Sequence, residues 1–157
     1  HPPGESERAA RIASEMVTAG LDAKTTGDLL AARWRKLVWN SPFNGVSVVL
    51  DASTKELVDD PVSLDLARAV MREVHDAARA QGVAVTESMI SKTIEVTRRM
   101  VPYDASMRLD FRYRRPMEVE AIFGNPLRAA NSAGANMPSV ATLYRELKFL
   151  DARNLSI

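Results

Sequence analysis

Lys36, Asn40 and Asn44 are the residues of this sequence whose types and spacing most readily suggest chemistry. They are four residues apart, so one continuous helix would carry them on a shared face that drifts by about 40° per step. A lysine can meet a developing negative charge with a cation and a proton, and an asparagine offers neutral hydrogen bonds. Asparagine has a low helix propensity, so two of them in a helix interior call for an explanation.

The neighbours of these three residues are mostly apolar, and this favours a pocket. A lining that is largely apolar, with a few convergent polar groups, is typical of ligand sites. The alternative is that Lys36 extends its ammonium group to water and that Asn40 and Asn44 bond to nearby backbone. The spacing alone leaves both interpretations open. The apolar neighbours are Trp34, Leu37, Val38, Trp39 and Phe43.

Ser106 follows Pro102 at a predicted helix start, in the run Ser-Met-Arg-Leu-Asp110. A serine there can be a plain N-cap, or it can present its hydroxyl beside free N–H groups that attract a carboxylate. Glu118 and Glu120 fall in the first turn of a later predicted helix, where glutamates ordinarily complement the helix dipole. That ordinary role fits Glu120 better than Glu118. Asp110 can be explained as a surface charge or as one member of an ion pair.

Helical periodicity dominates the rest of the chain, so helices must position these side chains. We predict a first helix that ends at Gly20. A capping box at 25–28 is predicted to open a long helix from about Gly27 to Leu50. Because Pro42 removes one backbone donor, we expect a kink or a short break there.

The remaining segments complete an all-α fold. Asp60 and Pro61 predict an N-cap and first residue of a helix that Gly82 closes, and Thr86 is predicted to cap a helix that runs to Met100. Three further helices are predicted to begin near Ser106, Pro116 and Pro138. The sequence therefore predicts a single helical domain over residues 1–157 with about seven helices.

Composition excludes several classes of function. The chain has 157 residues, no cysteine, two histidines and a net charge of +1. We therefore expect no thiol chemistry, no transition-metal site and no nucleic-acid partner. The seven glycines are isolated, so there is no G-x-G-x-x-G loop that could hold a nucleotide phosphate. No apolar run is long enough to span a membrane.

Three motifs in this order resemble the C-terminal domain of the ketopantoate reductases. They are the Trp34-x-Lys36-x3-Asn40-x3-Asn44 run, the Ser-Met-x-x-Asp run at 106–110, and Met-Glu-Val-Glu with Ile-Phe-Gly at 117–124. Ser106 and Glu118 are also separated by a spacing similar to that of the family. The resemblance extends over residues 4–154.

This resemblance implies a helical domain of the 6-phosphogluconate-dehydrogenase-like type. In the family an N-terminal Rossmann domain precedes it and is the main NADPH-binding part, and that domain is absent from this chain. In the family, ketopantoate is reduced to pantoate on the route to pantothenate and coenzyme A. By resemblance, Lys36 is the catalytic lysine. Asn40, Asn44 and Ser106 hold the substrate, and Glu118 lies at the catalytic and cofactor edge.

The resemblance also implies a cytoplasmic homodimer without metal, nucleic acid or membrane partners. The chain begins at His1 rather than at methionine, and we interpret it as an excised fragment that is inactive alone. One alternative is a reductase of another 2-oxo acid, because Thr54 stands where the family pattern has an asparagine. A second is a non-catalytic dimerisation module that pairs through 138–153. A third alternative is that the basic residues at 98–99 and 112–115 bind nucleic acid, but the nearly balanced net charge of the chain disfavours it.

Overall fold

The computed structural model describes residues 6–156, and over that range all of the regular secondary structure is helical. The elements are α1 (Glu7–Thr18), α2 (Leu29–Val49), α3 (Thr54–Asp59), α4 (Pro61–Ala80), α5 (Ser88–Arg99), α6 (Ser106–Arg112), a π-helical turn (Glu120–Gly124), α7 (Asn125–Ser132) and α8 (Pro138–Leu155). The prediction of an all-α domain is confirmed. No helix within the described range is both long and apolar enough to cross a lipid bilayer.

The structure has eight α-helices in the described range, where the sequence predicted about seven. The additional helix is α3, which the Ser53 hydroxyl and the Glu56 carboxylate open with a reciprocal capping box. The segment after Pro116 also differs from the prediction. It forms the π-helical turn first, and α7 begins only at Asn125.

Two predicted helix starts are wrong. Asp28, rather than the predicted box at 25–28, caps α2, because its Oδ1 accepts the Ala31 N–H at 2.9 Å. Thr86 does not cap α5, which begins at Ser88 without a side-chain cap. The Thr86 hydroxyl instead lies 3.1 Å from the Ser88 hydroxyl.

Other boundaries follow the predictions. Asp60 caps α4 by accepting the Ser63 N–H at 2.8 Å, and Pro61 occupies the first helical position. Gly20 and Gly82 follow the ends of α1 and α4 with φ of 85° and 75°, a backbone conformation that glycine adopts without steric cost.

α2 is the central helix, and it packs against α3, α4, α5, α6, α8 and the π-helical turn. Its second half is enclosed, since every residue from 41 to 48 is buried. α2 runs through Pro42 without the predicted break. The packing of this buried segment outweighs the loss of one backbone hydrogen bond, because each large apolar side chain buried contributes about 1.5–3 kcal/mol.

α1 is different, because none of its residues is buried. Its apolar stripe includes Ile12, Met16 and Val17, which are 41%, 45% and 55% exposed. α1 has no substantial packing against the other described helices. The periodicity of the sequence therefore predicted the helix correctly, and the other described helices leave most of its apolar face uncovered.

Candidate functional site

The continuity of α2 places Lys36, Asn40 and Asn44 on successive turns of one helix. Their exposure changes along that face: Lys36 is exposed, Asn40 is half-buried and Asn44 is buried. The face therefore descends from solvent into the protein over about 12 Å, at 1.5 Å per residue. A ligand that lies along it would meet the lysine at the open end and the amides further in.

Asn44 connects α2 to the start of α6. Its side-chain oxygen accepts hydrogen bonds from the Ser106 hydroxyl at 3.2 Å and from the Met107 N–H at 3.1 Å. The N-cap of α6 is Ala105, which offers no side-chain oxygen. Asn44 supplies the acceptor that a capping side chain would otherwise provide. The plain N-cap alternative for Ser106 is therefore wrong, because its hydroxyl bonds to Asn44.

The side chains of Asn40 and Asn44 retain further hydrogen-bonding capacity. Within residues 6–156, the Asn40 amide makes no hydrogen bond and the Asn44 amide nitrogen has no acceptor. One amide can donate two hydrogen bonds through its nitrogen. The α2 face thus keeps donors that suit a carboxylate or a hydroxyl group.

Lys36 and Glu118 are both exposed, and the structure does not join them. In the described part of the chain neither residue forms an ion pair. Trp34, Val38 and Phe43, which the sequence predicted as part of an apolar wall beside the two asparagines, are 4%, 0% and 0% exposed. All three side chains belong to the hydrophobic core.

Glu118 precedes the π-helical turn, and that turn packs directly on α2. The Ser41 hydroxyl donates to the Ile122 carbonyl at 3.4 Å, and the Ile122 N–H bonds to the Glu118 carbonyl at 3.0 Å. A Cβ at Gly45 would come within 2.8 Å of the Phe123 ring, so the close approach requires glycine. π-helical turns occur frequently at functional sites.

Glu120 is held in a cluster of donors that the sequence did not reveal. Its carboxylate accepts from the Tyr144 hydroxyl at 2.6 Å, from Arg128 at 3.0 Å and from Lys148 at 3.3 Å. The hydrogen bond from Tyr144, followed by those from Arg128 and Lys148, lowers the pKa of Glu120 to about 2. Glu120 thus fastens the π-helical turn to α7 and α8, which is more than the dipole role that its position predicted.

Thr54 is buried and supports the loop before α6. Its hydroxyl donates to the Tyr103 carbonyl at 2.9 Å. The Tyr103 ring lies 6.1 Å from the Trp39 ring, and the Trp39 indole N–H donates to the Thr97 hydroxyl at 3.0 Å. The Thr54 hydroxyl proton is therefore used in a hydrogen bond within the protein. The resemblance implied an asparagine at this position that contacts the substrate.

Arg108 was missed by the sequence reasoning, although it follows Ser106 by two residues. It is 6% exposed and pairs with Asp51 at 2.9 Å and with Asp104. The hydrogen bond from Arg108 holds the pKa of Asp51 below its usual value. This buried arginine anchors α6 to the end of α2, so that Ser106 stays beside Asn44.

Three of the five arginines of the basic patch form ion pairs within the described chain. Arg112 pairs with Asp51 at 3.2 Å, Arg115 pairs with Asp110 at 2.8 Å, and Arg99 pairs with Glu95. Asp110 is thus a pairing charge, as its position predicted. Residues 6–156 contain no group of three or more His, Cys, Asp or Glu side chains that could hold a metal ion.

The sequence and the fold match known proteins. The family profile described as ketopantoate reductase PanE/ApbA C terminal matches residues 28–151. A 2-dehydropantoate 2-reductase of Nostoc sp. is 44% identical over 151 residues, which are 96% of this chain and 47% of that protein. The chain spans about half the length of the relatives it matches.

Solved structures agree with this match. The 2-dehydropantoate 2-reductase of Methylococcus capsulatus shares the fold with a TM-score of 0.91 and 34% identity, over 98% of this chain and 49% of that one. The dimeric ketopantoate reductase of Staphylococcus aureus has a TM-score of 0.84 at 20% identity, over 96% of this chain and 53% of that one. The chain therefore belongs to the ketopantoate reductase family, and it corresponds to the C-terminal domain of that family.

Proposed function

We propose that this chain is the substrate-binding half of a reductase that converts ketopantoate to pantoate with NADPH, in pantothenate and coenzyme A biosynthesis. The observation that carries the proposal is the α2 face, where an exposed lysine leads to a buried asparagine held against Ser106. The family membership and the relative from Nostoc sp. support the same reaction.

Reduction of a 2-oxo acid turns its carbonyl oxygen into an alkoxide, and this charge needs a cation and a proton. In the proposed mechanism Lys36 gives its proton to that oxygen. The amide donors of Asn40 and Asn44 and the Ser106 hydroxyl hold the carboxylate and hydroxyl groups of the substrate. Glu118 either orients Lys36 and keeps it protonated or accepts a hydrogen bond from a ribose hydroxyl of the cofactor.

NADPH supplies the hydride, and this chain contributes little to its binding. The described residues contain no glycine-rich phosphate loop, and the exposed Glu118 carboxylate could accept a hydrogen bond from a ribose hydroxyl. We infer that a nucleotide-binding half completes the site. The uncovered apolar stripe of α1 lies outside the matched range 28–151 and fits such a partner. The chain alone is then inactive.

The partner and location proposals follow from the family. We propose a homodimer that pairs through α8, where Phe149 and Leu155 are 64% and 50% exposed. The dimeric relative from Staphylococcus aureus supports pairing. We propose a cytoplasmic location, in keeping with a biosynthetic reaction that uses small soluble substrates.

The test is a chimaera in which this chain replaces the matching half of the Nostoc sp. enzyme. NADPH oxidation is then followed with ketopantoate as substrate. We expect Lys36→Ala to lower kcat by about 10²–10⁴-fold, the range for loss of a general acid. Arg33→Ala, which changes another exposed cation of α2, should leave kcat within about twofold. A Lys36→Ala chimaera that retains its activity contradicts the assigned role.

Thr54 favours a second candidate, a reductase of another 2-oxo acid. Its hydroxyl is committed to the Tyr103 carbonyl, so the pocket lacks one polar contact that the resemblance implied. A panel of 2-oxo acids on the same chimaera separates the two. A kcat/KM for ketopantoate below that for a 2-oxo acid without the 4-hydroxyl group supports the second candidate.

A further inference from the structure

Four charged side chains form a network where the end of α2 meets α6. Arg108 and Arg112 of α6 both reach the carboxylate of Asp51, which follows the end of α2. They also both reach the carboxylate of Asp104, in the loop before α6. Two positive charges face two negative charges, so the network is complete within the chain and its role is to hold these elements together.

Arg108 is the buried member of this network. Its side chain is almost fully buried, whereas that of Arg112 is 46% exposed. Its Nε donates to Asp51 Oδ1 at 2.9 Å, its Nη2 donates to the Asp51 carbonyl at 2.6 Å, and its Nη1 donates to the Asp104 carboxylate. Hydrogen bonds between ionised partners are about twice as strong as neutral ones, and buried pairs are screened less by salt.

The backbone at Asp51 has a conformation that needs support. Its φ is 47°, in the left-handed region that residues other than glycine rarely adopt. Leu50 is the C-cap of α2, so Asp51 lies in the turn where the chain leaves that helix. The hydrogen bond from Arg108 to the Asp51 carbonyl supports this turn. Arg108 therefore fastens α6 to the backbone at the end of α2 and not only to a carboxylate.

The network lies close in sequence to the residues that the proposed mechanism assigns to the substrate. Arg108 follows Ser106 by two residues, and Asp51 follows Asn44 by seven. The Ser106 hydroxyl and Asn44 Oδ1 form a neutral hydrogen bond of 3.2 Å between the same two elements. α6 has only seven residues and no side-chain cap of its own. The position of the Ser106 hydroxyl therefore depends on the contacts that hold α6 against α2.

We propose that Arg108 is a positioning residue for the 2-oxo acid, because it holds the Ser106 hydroxyl beside Asn44. The proposal rests on the proposed function, in which Ser106 and Asn44 hold the substrate. Arg108 does not touch the substrate itself, since its side chain is buried and its three nitrogens are used within the chain. A displacement of about 1 Å in a positioned group can cost an enzyme about 10²-fold in activity.

The kinetic test compares Arg108→Lys with the unchanged chain in the chimaera with the Nostoc sp. enzyme. Lysine keeps the charge but cannot donate in a planar fork to both carboxylates. We expect the KM for ketopantoate to rise by about tenfold and kcat to stay within about threefold, because substrate binding is weakened while Lys36 is retained. Arg115→Lys, which alters the exposed pair with Asp110, is the matched control and should leave KM within about twofold.

A double-mutant cycle shows whether Arg108 acts through Ser106. Ser106→Ala should raise KM by itself, and Arg108→Lys should then add less than about twofold, since the hydroxyl that it positions is gone. An equal rise of KM in both backgrounds means that Arg108 only stabilises the fold, and it overturns the proposal. An unchanged KM in Arg108→Lys, or a fall in kcat as large as the rise in KM, also overturns it.

NMR on the 157-residue chain gives a measurement that does not depend on reductase activity. The Asn44 oxygen accepts from the Ser106 hydroxyl and the Met107 N–H, so the side-chain NH₂ signals of Asn44 should move upfield in Arg108→Lys as these bonds lengthen. The Asn40 signals should not move. If the Asn44 signals also stay in place, the Arg108 proposal fails. A chimaera of the unchanged chain that does not reduce ketopantoate would instead contradict the proposed function.

Discussion

Asn44 of α2 and His75 of α4 are both polar and almost fully buried, at 2% and 3% exposure, but the chain treats them differently. The Asn44 oxygen meets two donors on α6, whereas His75 Nε2 meets none in the described chain. The difference shows that burial of a polar group does not identify its role. A buried polar atom that is paired, such as the Asn44 oxygen, stabilises the fold, whereas an unpaired one costs free energy.

The largest effect that follows from this contrast is on Asn44. Asn44→Leu keeps a similar volume but leaves the Met107 N–H and the Ser106 hydroxyl without their acceptor. We expect a loss of about 2–3 kcal/mol in the free energy of unfolding, as for a buried donor left unpaired. Urea denaturation measures it. Asn40→Leu, on the half-buried part of the same face, should change the free energy by less than about 0.5 kcal/mol.

Thr54 tests whether the loss of a single buried hydrogen bond also lowers the free energy of unfolding. Thr54→Val preserves the shape and removes the hydrogen bond to the Tyr103 carbonyl, so we expect a loss of about 1 kcal/mol in the free energy of unfolding. Thr54→Ser keeps the hydroxyl and is the control for that hydrogen bond. Equal stabilities of Thr54→Val and the unchanged chain would show that the bond does not hold the loop before α6.

His75 should behave in the opposite way. His75→Phe removes an unpaired ring nitrogen from the protein interior at the cost of one bond to the exposed Asp76 side chain. We expect the free energy of unfolding to stay unchanged or to rise by up to about 1 kcal/mol. A loss as large as that of Asn44→Leu would mean that His75 has a partner within the chain.

The smallest effect concerns the exposed carboxylate of Glu120. Its pKa is depressed from 4.5 to about 2 in the folded chain. The stabilising contribution of Glu120 is therefore present above pH 4.5 and is lost as the pH falls through about 2. We expect Glu120→Gln to flatten this part of the pH dependence of unfolding. Glu146→Gln, at an exposed glutamate on α8 that forms no ion pair in the described chain, is the control and should leave the curve unaltered.

Much of the fold was readable from local signals. The Asp60-Pro61 pair and Gly82 define α4 because capping and turn chemistry involve residues that are adjacent in sequence. The family was recognised from motif order, and the profile over residues 28–151 confirms it. The roles of Lys36, Glu118 and the remaining site residues stay predictions. The start of α2 was placed on the wrong residues because several polar side chains near 25–28 could cap a helix.

The sequence by itself determined the helices, their periodicity and the face of α2 that carries Lys36, Asn40 and Asn44. Only the tertiary structure decided what each polar group meets. Asn44 accepts a hydrogen bond from Ser106, 62 residues away, and Arg108 donates one to Asp51, 57 residues away. His75 Nε2 has no hydrogen-bond partner in the described chain. Helix periodicity depends on neighbours three and four residues apart, while hydrogen bonds between helices depend on how those helices pack.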